Sequence, residues 1–347
     1  MPKLRTHSGL LFARQVDKRH TAVAIALAGA LIAIGLVTCS ASAVGPYPAL
    51  GSCEVFPDPP ASLSPRAPSL PTEAAWNHDV SKAPRDPRSN AFIEYINSHG
   101  GDHLHPDFGS PRAYGFPYSV VGGGQRRLPI HYTAYGEESD PGPFPVPARA
   151  PVEGGNRSDG DRHVLVVDRA GCRLYELYRA FYVAQPQPHW NADSGTAWDL
   201  RSAARRPEGW TSADAAGLPI FPGLVRHDEV AAGHLDHAIR VTFESTRDAW
   251  VHPASHCAGD TSNPSAPPMG LRLRLKTDYG LGRFSGAAKT IAAAMKRYGL
   301  IVADNGSNWF FSGSSDRRWD DENLNQLKGI PGSAFEVVKS AAPIHPC

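Results

Sequence analysis

The sequence predicts a β-rich α+β fold, a two-layer β-sandwich or jelly-roll-like body with a few short helices, and three observations predict it. The 347 residues include 32 prolines and 33 glycines, which suits strands joined by irregular loops. The clearest apolar patterns are short and alternate with period two. No regular alternation of strand and helix is visible, so a doubly wound nucleotide-binding fold is disfavoured. With 41% hydrophobic and 20% charged residues, the chain has the means to bury a core and is not a disordered polymer.

The elements follow in order. In residues 1–43 the basic group Lys3, Arg5, Arg14, Lys18 and Arg19 precedes an uncharged run and the small-residue site Ala41-Ser42-Ala43, the pattern of a secretory signal peptide. An uncleaved anchor and a lipoprotein signal at Cys39 are its alternatives. Residues 44–75 form a Pro-rich linker or strap, and 76–347 a single β-rich globular domain. "NAFIEYINSHG" places Phe92, Ile93 and Ile96 at helical spacing. "AYGFPYSVVGGGQRRLPIHYTAYG" reads as two strands about a turn at Gly123. Val164–Asp168 and Cys172–Tyr178 flank "RAG", a hairpin signal. "HAIRVTF" and "GLRLRLK" are further strands, the second with a buried Leu face and a cationic face at Arg272 and Arg274. "SGAAKTIAAAMKRYG" is a helix stopped at Gly299. "LIVAD" and "WFFSG" are strands around "NGSN", and a short helix "DDENLNQLKG" and the strand "FEVV" follow.

Charge and cysteine content narrow the partners. Loss of residues 1–43 removes five Lys or Arg and one Asp, taking the net charge from +1 to −3. Nucleic acid is therefore not an expected partner, nor is a membrane once the signal is removed. Cys53, Cys172, Cys257 and Cys347 remain, an even number that implies two disulfides in an oxidising compartment. Of three pairings, Cys53 with Cys347 and Cys172 with Cys257 is preferred on guessed proximity. Nothing in the sequence sets the oligomeric state.

Common catalytic signatures are missing: there is no G-x-S-x-G elbow, phosphate loop, H-E-x-x-H or G-x-G-x-x-G. No cofactor and no metal is expected. "DHLHPD" and "HPASH" offer histidine pairs, but His103 with His105 and His252 with His256 read better as loop residues bonded to backbone or water than as ligands. The densest stretch is "GWTSADAAGLPIFPGLVRHDEVAAGHLDHAIRVTF". There His237 shares a strand face with Ile239, Val241 and Phe243 and points inward, within reach of Glu229. The pair, flanked by Arg226 and Arg240, is either an acid and base couple or a buried polar lock.

Trp190, Trp198 and Trp210, interleaved with Asp199 and Asp214, are compatible with a sugar-stacking surface, or with a core. The expected function is binding or cleavage of extracellular polysaccharide, in the envelope or outside the cell. As a hydrolase or lyase the protein would use Asp199, Asp214, Glu229 and His237 for chemistry. Trp190, Trp198, Trp210, Arg226 and Arg240 would hold substrate. A non-catalytic structural or adhesion protein of the cell envelope is the alternative.

The wording of "GDRHVLVVDRAGCRLYELY", "RPEGWTSADAAGLPIFPGLVRHDEVAAG" and "YGLIVADNGSNWFFSG" resembles a family of uncharacterised exported bacterial proteins over about Trp76 to Val338. The resemblance implies export and no nameable activity. A shorter pattern from Gly217 to Ala238 resembles one recurring in extracellular actinobacterial proteins, which implies scaffold.

Overall fold

The computed structural model describes residues 45–53, 55–56, 75–109, 114–202 and 204–347. The expected signal segment and most of the Pro-rich stretch lie outside the described residues. The chain runs α1 (Ser89–Ser98), β1 (Tyr118–Val121), β2 (Ile130–Tyr132), β3 (Val164–Asp168), β4 (Arg173–Tyr178), β5 (Phe181–Val183), β6 (His189–Ala192) and β7 (Ser194–Asp199). It continues through α2 (His227–Ala231), β8 (Ile239–Phe243), β9 (Arg247–Val251), β10 (Pro268–Met269), β11 (Arg272–Leu275) and α3 (Gly286–Arg297). β12 (Leu300–Asn305), β13 (Phe310–Phe311), α4 (Asp321–Asn325), β14 (Phe335–Val337) and β15 (Ile344–Pro346) complete it.

This is a mixed α+β fold with several sheets. One sheet has the order β1-β3-β4-β7, another β13-β8-β12-β11-β14, and two smaller ones β10-β9-β15 and β2-β6-β5. Parallel pairs occur in all four, including β1 with β3 and β8 with β12. The hairpin forms where it is expected, with Val164 opposite Leu177 and Asp168 opposite Arg173. Two other neighbours in sequence do not pair. β1 joins β3 while β2 joins β6, and β12 and β13 sit on either side of β8. In both cases the turn signal lies between the two strands, but each pairs with a strand distant in sequence.

The main core packs Phe92, Ile93 and Ile96 of α1 and Ile291 and Met295 of α3 against Leu273, Ile301 and Val302. Burial of each such side chain contributes ~1.5–3 kcal/mol. A separate core under the β1-β3-β4-β7 sheet contains Leu165, Val167, Leu174, Ile220 and Phe221. The expected cationic face of β11 is not a free one: Arg274 is buried and pairs with Glu336 at 2.8 Å, while Arg272 bonds backbone carbonyls. A cation on a sheet face covered by neighbouring chain has to find acceptors inside the protein.

The disulfides are Cys53–Cys172 and Cys257–Cys347, which corrects the preferred pairing. The stretch before α1 crosses to the β3–β4 turn: Tyr47 stacks on Tyr118 at 3.6 Å, and Cys53 reaches the turn residue Cys172. The C-terminus instead pairs as β15 with β9, which brings Cys347 to Cys257.

Candidate functional site

The parallel pair β8–β12 builds the site. Ile239, Val241 and Phe243 face the core and are fully buried, so Arg240 takes the opposite face. On β12 the register shifts: Val302 lies opposite Val241, yet Asp304 lies opposite Thr242. The extra residue, Ala303, is a bulge that moves Asp304 onto the face of Arg240. The Ala303 carbonyl also accepts the amide of Ala216 at 2.9 Å, which docks the loop carrying Asp214.

That loop is held from within. Ser212 Oγ donates to the Leu218 carbonyl at 2.6 Å and accepts from the Asp214 amide at 2.9 Å. Gly217 has φ +70°, and a Cβ there would sit 2.6 Å from the Trp210 carbonyl oxygen. Only glycine fits that position without displacing the loop. Asp214 consequently meets Arg240 in two parallel bonds, Nη2 to Oδ1 at 2.7 Å and Nε to Oδ2 at 3.2 Å. The same Nη2 reaches Asp304 Oδ2 at 3.3 Å, and Nη1 donates to Ser312 Oγ at 2.7 Å. Asp214 and Arg240 are enclosed, with side-chain exposures of 0% and 2%, while Asp304 retains 24%. Asp304 is the member of this trio that reaches solvent.

Electrostatics separates the three. Burial, and then the charge of Asp214, pushes the Asp304 carboxyl from 3.8 up to about 7 despite the nearby Arg240. Burial opposes the charge of Arg240, but Asp214 outweighs it and keeps the guanidinium firmly protonated. Behind them, His163 Nε2 donates to the Ala213 carbonyl at 2.9 Å while Nδ1 faces Glu153 at 2.5 Å. Both ring nitrogens meet acceptors, the arrangement of an imidazolium. Burial opposes that charge, and Glu153 overcomes it, raising His163 to about 9. Glu176 is fully buried and pushed up to about 7 by burial. It accepts the amides of Ile220 and Phe221 and so holds the "LPIFPG" turn against β4.

Asp304 opens on a cleft of about 260 Å³ lined also by Tyr135, Asp161, Tyr178, Ser194, His256 and Asn305. It lies where the edge of the β1-β3-β4-β7 sheet meets the end of β12. His256 Nδ1 donates to the Ala215 carbonyl at 2.8 Å, and among the described residues Nε2 has no hydrogen-bond partner. The lining carries hydroxyl, amide, imidazole and carboxylate groups beside apolar surface.

Of the residues singled out from sequence, Asp214 and Arg240 come together here, as the buried support of Asp304. Glu229, His237 and Arg226 form a second cluster outside the cleft lining. Glu229 Oε2 meets His237 Nε2 at 3.4 Å, and its other oxygen pairs with Arg226. The charge of Arg226, followed by that of His237, overcomes burial and holds the Glu229 carboxyl low. Asp199 ends β7 and binds the Arg201 amide at 3.0 Å and its side chain. Two of the three tryptophans follow the core alternative. Trp190 is 2% exposed and packs beneath the smaller β2-β6-β5 sheet, and Trp198 is 7% exposed and bonds Thr196 and Glu176 through Nε1. Trp210 is half-buried, with Arg206 over its ring at 5.5 Å.

His103 and His105 each sit beside their own acid, Asp102 at 2.7 Å and Asp107 at 3.3 Å. His252 bonds Glu208 at 2.9 Å. Asp304, His163, Glu153 and Glu176 were not among the sequence candidates. For Asp304, Glu176 and His163 the signal was faint but present, an ionisable residue inside or at the end of an apolar strand-forming run, as in "LIVADN", "RLYELY" and "HVLVVD"; Glu153 sits in the loop "PVEGG" and carried none. No family model matches the chain, and no curated protein or solved structure matches it.

Proposed function

We propose that the cleft takes a polyhydroxylated segment of an extracellular polysaccharide and that Asp304 acts there as a general acid. One observation carries this reading: a carboxyl raised to about 7 reaches the cleft while Arg240, itself paired with Asp214, bonds it from behind. A carboxylic acid neutral near pH 7 is able to protonate a glycosidic oxygen. Asp161 lines the same cleft and supplies the second carboxylate that hydrolysis requires. Two disulfides and the signal-like N-terminus support export. The two larger sheets serve in this reading as the layers of the expected sandwich body, with the cleft at their seam.

A non-catalytic envelope or adhesion role has its own support in the full burial of the Asp214 side chain, whose carboxylate is taken up by Arg240 as a lock. The decisive assay incubates purified protein with a polysaccharide panel, reading new reducing ends and unsaturated-uronate absorbance. Turnover is expected to fall as pH rises through about 7, because the general acid is then ionised. Asp304→Asn is expected to lower it by ~10²–10⁴-fold with retention on a polysaccharide column unchanged. Silence from folded wild-type protein across the panel, or full activity in Asp304→Asn, would replace this reading with the non-catalytic one.

A further inference from the structure

A second cavity, of about 270 Å³, shares no lining residue with the first. It is bounded by the stretch from Ala75 to Ala83, by Val251 to Pro253, by the start of β11 at Arg272 and by residues 338–342. Val80, Val251, Val338 and Ala342 make its walls apolar, while Arg272 and Lys339 give it positive character. No Asp or Glu lines it.

Arg272 is the unusual group. Its Nη1 donates to the carbonyls of His78 and Tyr298 at 3.1 and 3.2 Å, and Nη2 to that of Ala75. Among the described residues no carboxylate pairs with it. Two positions along the same strand, Arg274 has Glu336 at 2.8 Å, and on β8 Arg240 has Asp214. Three carbonyl dipoles satisfy donors but supply no full countercharge. Burial accordingly pulls the Arg272 guanidinium down to about 10, and burial together with Arg272 lowers His78.

We propose that this cavity binds a small organic carboxylate, its anionic head on Arg272 and its apolar body against Val80, Val251 and Val338. A guanidinium fork matches a carboxylate in geometry and charge. The apolar walls favour a ligand with a hydrocarbon or aromatic body over a bare inorganic anion, since such pockets combine mostly apolar lining with a few orienting polar groups. This site does not depend on the polysaccharide reading.

Isothermal titration of the purified protein with acetate, hexanoate, benzoate, hexanamide and inorganic phosphate tests it. Hexanoate and benzoate should bind more tightly than acetate or phosphate, and hexanamide at least about tenfold more weakly than hexanoate, because it lacks the charge that Arg272 meets. Arg272→Gln should lose binding by a similar factor. Since Arg272 also ties three carbonyls together, a second variant, Ala342→Trp, fills the cavity and leaves the guanidinium untouched; it should abolish binding in a folded protein. No carboxylate binding by folded wild type, hexanamide or phosphate binding as tightly as hexanoate, or wild-type affinity in folded Ala342→Trp would each overturn the proposal.

Discussion

Asp304 and its support define what single residues do here. Asp214 and Arg240 are enclosed and satisfy one another, so removing either partner leaves an uncompensated buried charge. Arg240→Leu is expected to cost ~3–5 kcal/mol in a denaturant titration. A loss under about 1 kcal/mol would mean that water or another group replaces the partner. Asp304 gives a pH signature. Its folded pKa of about 7 exceeds the ordinary 3.8, so the folded state holds the proton more tightly. Its contribution is fully present below the ordinary value and is lost as pH rises through about 7. Asp304→Asn should therefore show a smaller loss of stability than wild type over that interval, measured as the difference between the two proteins. Taking the difference removes carboxylates such as Glu153, which are held low and act in the opposite direction at acid pH. Parallel pH curves for the two proteins would show that Asp304 titrates normally.

At the scale of elements, geometry at strand and helix ends decides where these groups point. The bulge at Ala303 places Asp304 beside Arg240; a regular β12 would turn it toward the face of Phe243. The end of α3 is equally constrained. Gly299 has φ +77°, and a Cβ there would lie 2.1 Å from the Leu273 carbonyl oxygen. Gly299→Ala is expected to destabilise by more than about 1 kcal/mol, since it combines left-handed strain with a backbone clash. Thermal melts should show it, and an unchanged melting temperature would mean that α3 and β11 separate without cost. The sequence marked this position correctly because a helical period ending in glycine is a local signal. It did not reveal the bulge, because a one-residue register shift depends on the partner strand.

Across the whole molecule, the two disulfides close intervals of 119 and 90 residues. Peptide mapping without reduction should recover Cys53 with Cys172 and Cys257 with Cys347, and recovery of Cys53 with Cys347 would contradict the strand pairing of the C-terminus. Replacing both Cys53 and Cys172 by Ser is expected to lower stability by ~2–4 kcal/mol through the freed unfolded chain.

The sequence by itself determined the β-rich class, α1, α3, the β3–β4 hairpin, the number of disulfides and the inward setting of His237. All of these rest on composition or on period and turn chemistry within about twenty residues. Tertiary structure alone decided which strands are neighbours, which cysteines join, and that Trp190 and Trp198 belong to cores. It also decided that Asp304, ninety residues from Asp214, completes the site. These outcomes depend on burial and pairing between distant segments, and the cost of burying an unpaired charge is what selects Asp214 for Arg240 and leaves Asp304 at the cleft.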